Sequence, residues 1–439
     1  MKKFERKWNS KFDENGNLLA DEAKYLVLEG KSLDTNTVCE KHLVIISHTD
    51  TDGITSALNM IMYAETVGTD YSVYMERTSR EDMASSIAKY AVDRVIGSHK
   101  DNPYKEIEVV ITDRMFLSLN TFKREDYQTN VYFSWFDHHS GNVRTREEIA
   151  KVIGESNIGE YRVLTDDEHC GATITYQACV ERLEGVAEIN EIQLFERNLR
   201  SWSYNVNLWD TFLWKKKYTE DDPEYHRGQK FGAIDKVVKS EDELLRILLA
   251  FIDSGVSLNS DGVLSWVNDN YVTYEGLVKE AYKKAKDTYI GGFVIYYKKG
   301  YDPTSGDNQA ENVLFKIALV PSEWIYASAI KEMLMKEYSD TDIVITFHKT
   351  GGTVYTGYHI EDLESSTLAR HIGEMYGLSG GGHKHAAGFG CRLDKPLDNF
   401  SKEENDRLAR MLVFDRIRLA LDEFIYTNYS KEVYIEWKE

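Results

Sequence analysis

The sequence predicts an α/β protein in which a parallel sheet with flanking helices is followed by a helical linker and a smaller α+β domain. In the first half of the chain, three short apolar runs each end in aspartate or histidine residues. Helical periodicity dominates the middle, and strand-like runs with a hairpin signal appear after Gly291. Continuous apolar runs, unlike alternating ones, are typical of parallel strands that are covered on both faces.

These changes of pattern divide the 439 residues into several parts. We expect an N-terminal extension with one short helix, a catalytic α/β domain, a helical linker and an α+β domain. Their predicted ranges are 1–40, 41–215, 216–290 and 291–439. A chain of this length is long enough for two or three domains that each bury a core.

The first predicted strand, Leu43–Ser47, leads into an H-x-D-x-D motif made by His48, Asp50 and Asp52, and a helix is expected over 54–67. Alternate residues of an extended segment point the same way, so these three side chains can face one site. Imidazole and carboxylate groups suit Mn²⁺, and such sites also accept Mg²⁺ or Co²⁺. By itself the motif fits a capped helix start equally well.

Two further apolar runs, Glu108–Thr112 and Val131–Phe136, end in the same way. The residues that follow them are Asp113, Asp137, His138 and His139. A lone aspartate after a strand is most often a loop or cap residue. Two adjacent histidines beside an aspartate are harder to bury unless they bind something or are fully hydrogen-bonded.

Asp210 is a further acidic candidate, and it comes after a predicted helix over Glu188–Arg200. In open parallel sheets, ligands bind at the carboxyl ends of the strands, where neighbouring loops converge. The joint occurrence of these acidic and histidine clusters therefore predicts one crevice that holds metal ions. Paired metal ions in proteins typically serve phosphate-ester chemistry.

The second half of the chain predicts a sheet with a glycine-rich segment. Strands are expected at Phe293–Tyr297, Phe315–Leu319, Ile343–Phe347, Val354–Tyr358 and Ala387–Cys391, with a turn at Lys349–Gly352 and helices at Leu363–Tyr376 and Lys402–Phe424. The run Gly380, Gly381, Gly382 and His383 offers main-chain N–H groups and an imidazole to an anion. Standing alone, the same run would be a flexible turn.

The net charge, the length of the apolar stretches and the cysteine spacing each disfavour particular classes of protein. The net charge of −20 disfavours a groove that coats long polyanions. No apolar stretch is long enough for a transmembrane helix, and the N-terminus lacks the apolar region of a secretory signal. The four cysteines form no C-x-x-C pair, which favours free thiols in a reducing, cytoplasmic environment.

Taken together, the motifs resemble the DHH/DHHA1 phosphoesterase family, and within it most closely the nanoRNase B type of bacterial oligoribonuclease. The resemblance covers about residues 42–393. It rests on Ser47–Gly53, Ile111–Asp113, Asp137–His139, Ala172–Thr173, Asp210–Trp214 and Gly380–His383.

The resemblance implies a two-metal site. His48 and Asp50 would bind one Mn²⁺, Asp52, His138 and Asp210 would bind the other, and Asp113 would bridge them. Asp137 would orient His138, and His139 would lie near the scissile phosphate, so that Asp137, His138 and His139 form the catalytic set.

The run Gly380, Gly381, Gly382 and His383 matches the hallmark of the family's C-terminal domain, so we expect it to bind substrate, with Lys384 or His385 adding positive charge. Arg114 is a candidate phosphate contact, with a surface salt bridge as the alternative. Related enzymes usually carry an arginine–serine pair before the glycine run, whereas the region Tyr355–Ile360 has no arginine. His359, or Arg370 from the following helix, is the candidate for that contact.

The implied function is a Mn²⁺-dependent exonuclease that hydrolyses short single-stranded RNA to 5′-mononucleotides. The alternative is a phosphatase or phosphodiesterase of small nucleotides, such as 3′,5′-bisphosphorylated adenosine or cyclic dinucleotides. A single-strand DNA exonuclease is disfavoured by the acidic charge, and a non-enzymatic nucleotide sensor by the presence of every expected metal ligand. No membrane partner is expected, and a homodimer is left open.

Overall fold

A computed structural model of the chain divides into two compact units, unit 1 (Met1–Tyr274) and unit 2 (Glu275–Glu439). The structure describes residues 3–9, 24–33, 40–76, 81–98, 104–114, 130–139, 145–166, 168–238, 240–287, 293–297, 313–357, 360, 363–378, 380–382, 384–391, 401–429 and 434–438. The predicted domain boundaries at residues 40, 215 and 290 stay predictions.

A seven-stranded sheet forms the centre of unit 1, in the order β1-β2-β4-β3-β5-β6-β7. Its strands are β1 (Phe4–Trp8), β2 (Leu26–Ser32), β3 (Lys41–His48), β4 (Asp70–Glu76), β5 (Glu106–Thr112), β6 (Val131–Asp137) and β7 (Ile158–Val163). The strands from β4 to β7 in this order are parallel, whereas β1 and β2 join antiparallel at one edge.

Helices cover both faces of this sheet. The α-helices up to residue 287 are α1 (Thr51–Val67), α2 (Glu81–Ser98), α3 (Arg146–Ile153), α4 (Gly171–Glu184), α5 (Ile189–Asp210), α6 (Leu213–Lys216), α7 (Pro223–Phe231), α8 (Ile234–Val237), α9 (Glu241–Asp253) and α10 (Asp261–Asp287). Leu43 and Ile45 of β3 pack towards α1, α4 and α5, while Val44 and Ile46 pack towards α2 and α3. The continuous apolar run of β3 is thus buried on both faces, which confirms the predicted class of sheet.

The three strands that were predicted before acidic residues are β3, β5 and β6. The sequence did not predict β4 and β7. Within the described part of residues 1–40, the structure has strands β1 and β2, while the expected short helix falls in residues 1–40 whose larger part lies outside the described residues and stays a prediction. Arg6 of β1 fixes this edge, because its guanidinium lies 2.7 Å from the Glu65 carboxylate of α1.

Unit 2 contains a second sheet, in the order β12-β13-β11-β10-β9-β8-β14. Its strands are β8 (Phe293–Tyr297), β9 (Val313–Pro321), β10 (Ile343–His348), β11 (Gly351–Thr356), β12 (Gly380–Gly382), β13 (Ala386–Gly390) and β14 (Tyr434–Lys438). Its further α-helices are α11 (Ala327–Glu337), α12 (Ser365–Met375) and α13 (Lys402–Asn428). Among the described strands of this unit, only β9 and β10 pair in parallel, so unit 2 is α+β as predicted.

Two local predictions for unit 2 are corrected. The turn between β10 and β11 is Lys349-Thr350 alone, because His348 already pairs with Gly351. The glycines at 380–382 form the edge strand β12, which pairs with β13, and not the flexible turn that the run would form if it stood alone.

Among the described residues, no helix has both the length and the apolar character that a membrane crossing requires. Cys170, Cys179 and Cys391 are buried free thiols, as expected, and Cys39 lies outside the described residues.

Candidate metal centre

The strand end of β3 brings His48 and Asp50 together. His48 is the last residue of the strand, and its Nδ1 lies 2.8 Å from Asp50 Oδ2. The other oxygen of Asp50 accepts the Gly53 N–H at 2.9 Å and so caps α1. A Cβ at position 53 would lie 2.5 Å from the His48 carbonyl oxygen, which explains why glycine occupies this turn. The capping and ligand interpretations of this motif are therefore compatible, since each uses one carboxylate oxygen.

Asp52 lies in the first turn of α1 and is almost fully buried. Its two oxygens accept the main-chain N–H groups of Gly171, at 2.8 Å, and Ala172, at 2.7 Å. These N–H groups begin α4 and have no partner within their own helix. The start of α4 therefore fixes the Asp52 carboxylate.

Asp113 follows β5 in a left-handed conformation, with φ of 50°. Its main-chain N–H donates to the Phe136 carbonyl of β6 at 2.9 Å. Its side chain is buried, and Oδ2 has no hydrogen-bond partner in the structure. A buried carboxylate oxygen without a donor is unfavourable unless a cation binds it.

His138 contacts carboxylates from three different elements. Its Nε2 lies 3.5 Å from Asp52 Oδ2, 3.3 Å from Asp113 Oδ1 and 3.4 Å from Asp210 Oδ2. Asp210 is the last residue of α5, and its Oδ2 is a second buried oxygen without a hydrogen bond.

Asp137 organises the two histidines that follow it. Its Oδ1 accepts the main-chain N–H of His138 at 2.8 Å and lies 2.8 Å from the ring Nδ1 of His139. The predicted role was the orientation of His138. The structure adds a direct ring contact with His139, which the sequence analysis did not anticipate.

The electrostatics of the cluster indicate that its carboxylates are held close together against their repulsion. Burial, and then the charge of Asp210, raises the pKa of Asp52 to about 6. Burial and the charges of Asp52, Asp50 and Asp210 raise the pKa of Asp113 well above its usual range. Burial also acts on Asp50, but its contacts with His48 and Gly53 outweigh it and lower the pKa. Buried like charges of this kind disfavour ionisation unless a cation is present.

Seven side chains of the cluster could hold metal ions. They form three groups whose ligand atoms lie within 4.8 Å of one another: Asp113, His138 and His139; His48, Asp50 and Asp113; and Asp52, His138 and Asp210. Asp113 is shared by two groups, and so is His138. The mixed carboxylate and imidazole donors, together with the orphaned oxygens of Asp113 and Asp210, fit divalent cations such as Mn²⁺.

The residues that are predicted to contact the substrate lie in several different environments. Arg114 is buried, and its guanidinium forms an ion pair with the buried Glu76 carboxylate. The alternative interpretation of Arg114 expects a salt bridge at the surface, whereas this ion pair lies in the interior. Gly380 packs against α12, since a Cβ there would lie 2.1 Å from the Ala369 carbonyl oxygen. A Cβ on Gly381 would meet no heavy atom within 4 Å, so of the two only this glycine leaves space for another molecule.

Other predicted contacts lie at the end of β11. Gly382 has a φ of 148° and packs closely on Ala386 and Ala387. The His385 carbonyl accepts the Thr356 N–H at 3.3 Å. His383 and His359 lie outside the described residues.

Sequence reasoning missed the residues that support the site from α4 and α5. Asn207 Oδ1 accepts the Cys170 N–H at 2.7 Å, and Asn207 Nδ2 donates to the Glu168 carbonyl at 2.9 Å. This side chain holds the segment that leads into Gly171. The Ala172–Thr173 pair was the available signal, but it does not reveal which groups its backbone contacts.

Comparisons with solved structures found several similar chains. The chain is similar to a solved structure described as the DHH domain of a member of the s1p family of ribosomal proteins, with a TM-score of 0.51, 12% identity and 87% coverage of each chain. It is also similar to RecJ from Thermus thermophilus in complex with Mn²⁺, with a TM-score of 0.45, 12% identity and 87% coverage of this chain. It spans about half of that RecJ chain, namely 52%.

A third similar structure is described as exonuclease RecJ bound to manganese, with a TM-score of 0.43, 14% identity and coverage of 86% of this chain and 90% of that one. No protein-family model matches the chain, and no curated protein does. At 12% identity, the first of these structures shows a shared fold with a DHH-domain protein and no more than that, which agrees with the predicted α/β class.

Proposed function

We propose that this chain is a metal-dependent phosphoesterase that acts on nucleotide substrates, with two divalent cations held in unit 1. The observation that carries the proposal is the sharing of Asp113 and His138 between ligand groups that each contain three side chains. A carboxylate that belongs to two adjacent groups is the arrangement that a pair of cations requires.

The ligands of each cation are assigned from these groups of three side chains. His48, Asp50 and Asp113 would hold one cation, and Asp52, His138 and Asp210 would hold the other, with Asp113 near enough to His138 to serve both. When bound, such cations lower the pKa of water and neutralise charge on phosphoryl oxygens.

The protein's own groups supply positioning and proton donation. His139 Nδ1 faces Asp137, so Nε2 is the ring atom that would donate to a phosphate oxygen. Burial lowers the pKa of His139, but the Asp137 carboxylate outweighs it and raises the pKa to about 9. In the metal-free chain the His139 ring is therefore protonated on both nitrogens, and so positively charged, at neutral pH.

The finer proposal is a Mn²⁺-dependent exonuclease that converts short single-stranded RNA to 5′-mononucleotides, of the nanoRNase type. Its support is the set of sequence motifs and the net charge of −20, which opposes binding of long polyanions. Gly381, with open space beside it, and His385 are the described residues of unit 2 proposed to contact the substrate. A cytoplasmic location stays a prediction.

The test uses the full chain with Mn²⁺ and end-labelled RNA of two to twenty-four nucleotides. DNA of the same lengths, 3′,5′-bisphosphorylated adenosine and cyclic dinucleotides are measured in parallel. Fast turnover confined to the shortest RNAs would support the finer proposal. Turnover of only the bisphosphate or the cyclic dinucleotides would support the alternative small-nucleotide activity.

The matched variants are Asp113→Asn and Asp93→Asn. Asp113 is buried in the cluster, whereas Asp93 is an exposed residue of α2. We expect the first substitution to remove most of the turnover and the second to leave it unchanged. No Mn²⁺-dependent turnover of any of these substrates by the wild-type chain would overturn the proposal.

A further inference from the structure

Unit 2 contains a cavity of about 420 Å³ that the proposed function does not use. It lies outside the ends of β9 and β10, where Ser322 follows the first strand and Lys349 follows the second. Volumes of this order are typical of sites for small ligands.

The topology places this cavity at a favourable position for ligand binding. β9 and β10 are parallel, and α11 lies between them in the chain. Their carboxyl ends are tied together by the Ser322 N–H, which donates to the Phe347 carbonyl at 2.8 Å. In parallel sheets the crevice outside the carboxyl ends of the strands is the usual ligand site.

The charges of the lining favour an anion. Lys284 of α10, Lys349 of the hairpin turn and Arg410 of α13 line the cavity, against the carboxylates of Glu323 and Asp406. Asp406 is already engaged, since its Oδ1 lies 3.1 Å from Lys349 Nζ. Across the described part of the chain, Arg410 makes no ion pair, so its guanidinium remains available to a ligand.

His348 adds a directed hydrogen-bond donor. Its Nδ1 accepts the Thr350 N–H at 3.3 Å, so the neutral ring carries its proton on Nε2. Burial and the adjacent Lys349 charge lower the pKa of His348, which favours this neutral form. Tyr326 supplies an aromatic ring to the same lining. Aromatic faces of this kind can stack on a nucleobase.

We propose that this cavity, hereafter the β9–β10 cavity, binds a small phosphorylated ligand of the nucleoside monophosphate class. Arg410 and His348 would contact the phosphate, and Tyr326 the base. The site is separate from the glycine strand. His348 pairs with Gly351 at one end of the β10–β11 hairpin, whereas Thr356, which contacts His385, pairs with Ile343 at the other end.

The test measures binding to the full chain in EDTA, with Asp113→Asn as the background. This background removes the metal cluster as a source of nucleotide binding. AMP, inorganic phosphate and adenosine are compared by equilibrium dialysis. We expect one AMP per chain, competition by inorganic phosphate, and much weaker binding of adenosine.

The matched variants lie on the same helix. Arg410→Ala removes a cation of the cavity, whereas Arg407→Ala removes an exposed cation of α13 that does not line it. Arg410→Ala should weaken AMP binding about tenfold, the loss expected for one charge-assisted contact. Arg407→Ala should leave it unchanged.

His348→Ala provides a second variant if Arg410→Ala lowers the melting temperature. It too should weaken AMP binding. Absence of AMP binding at millimolar concentration, equal affinity for adenosine and AMP, or equal losses in the Arg407 and Arg410 variants would each overturn the proposal. None of these outcomes depends on hydrolysis, so the proposed function is tested separately.

Discussion

The Asp52 carboxylate accepts the main-chain N–H of Gly171 at 2.8 Å, although the two residues are 119 positions apart. The N–H groups at a helix start carry partial positive charge, which favours an adjacent carboxylate. The start of α4 thus orients a candidate metal ligand that belongs to α1. The geometry of the cluster depends on how closely these two helix starts approach.

Gly171→Ala tests this close approach. A Cβ at position 171 would lie 2.7 Å from Asp113 Cβ and 3.0 Å from Asp52 Oδ2. Because both neighbours are proposed ligands, we expect the substitution to weaken Mn²⁺ binding by about tenfold or more, and to destabilise the chain by about 1–3 kcal/mol through overpacking. Calorimetric titration with Mn²⁺ and thermal unfolding measure the two effects.

Gly97→Ala is the matched control for that substitution. Gly97 lies in the last turn of α2, and a Cβ there would meet no heavy atom within 4 Å. It should leave Mn²⁺ affinity unchanged and stabilise the chain by about 0.4–1 kcal/mol, since alanine restricts the unfolded chain. Unchanged Mn²⁺ affinity in Gly171→Ala would contradict the ligand-orienting role of α4.

Asp113→Asn separates a metal-binding role from a purely structural one. The substitution removes a carboxylate that is buried among Asp52, Asp50 and Asp210. In EDTA we expect an unchanged or higher melting temperature, because like-charge repulsion is relieved. In the wild-type chain, Mn²⁺ at a hundred times its dissociation constant should raise the free energy of unfolding by about 2.7 kcal/mol. In Asp113→Asn, Mn²⁺ should produce only a small part of this increase.

The backbone at Asp113 provides an internal comparison. Asparagine tolerates the φ of 50°, whereas alanine in the left-handed region costs roughly 1–2 kcal/mol. Asp113→Ala should therefore be less stable than Asp113→Asn in EDTA, while both lose the Mn²⁺ effect. An undiminished Mn²⁺-dependent rise in melting temperature in both variants would remove Asp113 from the ligand set.

Glu108 gives a prediction for acid stability that does not involve the cluster. Burial alone would raise its pKa, but Arg182, at 2.8 Å, and Lys41, also at 2.8 Å, lower the pKa to about 2. A carboxyl whose folded pKa is depressed stabilises the fold above its unfolded pKa and loses this contribution as the pH falls. Between the unfolded value of 4.5 and about 2, the loss should be about 3 kcal/mol.

Urea unfolding of wild type, Glu108→Gln and Glu106→Gln across this pH range measures that contribution. Glu106 lies on the same strand with its side chain 51% exposed, so it controls for a general loss of negative charge. At neutral pH, Glu108→Gln should have a lower free energy of unfolding than wild type, because the substitution leaves Arg182 without this charge partner. As the pH falls, its free energy of unfolding should decrease less than that of wild type. Equal acid sensitivity in all three proteins would contradict the assignment.

Much of the site could be predicted because each proposed ligand directly follows a recognisable element. The apolar runs of β3, β5 and β6 identify the sheet edge, and the residues after them are the ones that meet there. Asp210 was harder, because α5 is longer than the predicted Glu188–Arg200 and ends only at Asp210. Contacts made by backbone groups, such as the N–H of Gly171, leave no pattern of side chains to read.

The missed strands have a different physical cause. β4 reads Asp-Tyr-Ser-Val-Tyr-Met-Glu, yet every residue of it is buried. The Asp70 carboxylate at its start is satisfied by distant residues: the Tyr104 hydroxyl donates to it at 2.8 Å and the Ser32 N–H donates to it at 2.8 Å. The hydrophobicity of a short stretch of sequence does not reveal hydrogen-bond partners that are distant along the chain. The glycines of β12 form a strand because Gly380 must approach α12 closely, which is a tertiary requirement.

The contact between Asp137 and His139 predicts how the metal-free chain responds to alkaline pH. His139 has a folded pKa of about 9, above its unfolded value of 6.5, because the Asp137 charge outweighs the effect of burial. A histidine whose pKa is raised stabilises the fold fully below its unfolded pKa, and the contribution is lost as the pH rises through the folded value. The metal-free chain should therefore lose stability between pH 6.5 and about 9.

Asp137→Asn tests this assignment, since asparagine keeps an oxygen that can accept the His138 N–H at the position of the 2.8 Å bond. NMR titration in EDTA should show the pKa of His139 falling by about one unit or more, because the neighbouring negative charge is gone. The alkaline loss of stability should shrink with it. Glu147→Gln, an exposed change on α3, is the control and should shift neither quantity. A His139 pKa that is unchanged by Asp137→Asn would mean that other carboxylates of the cluster hold its proton.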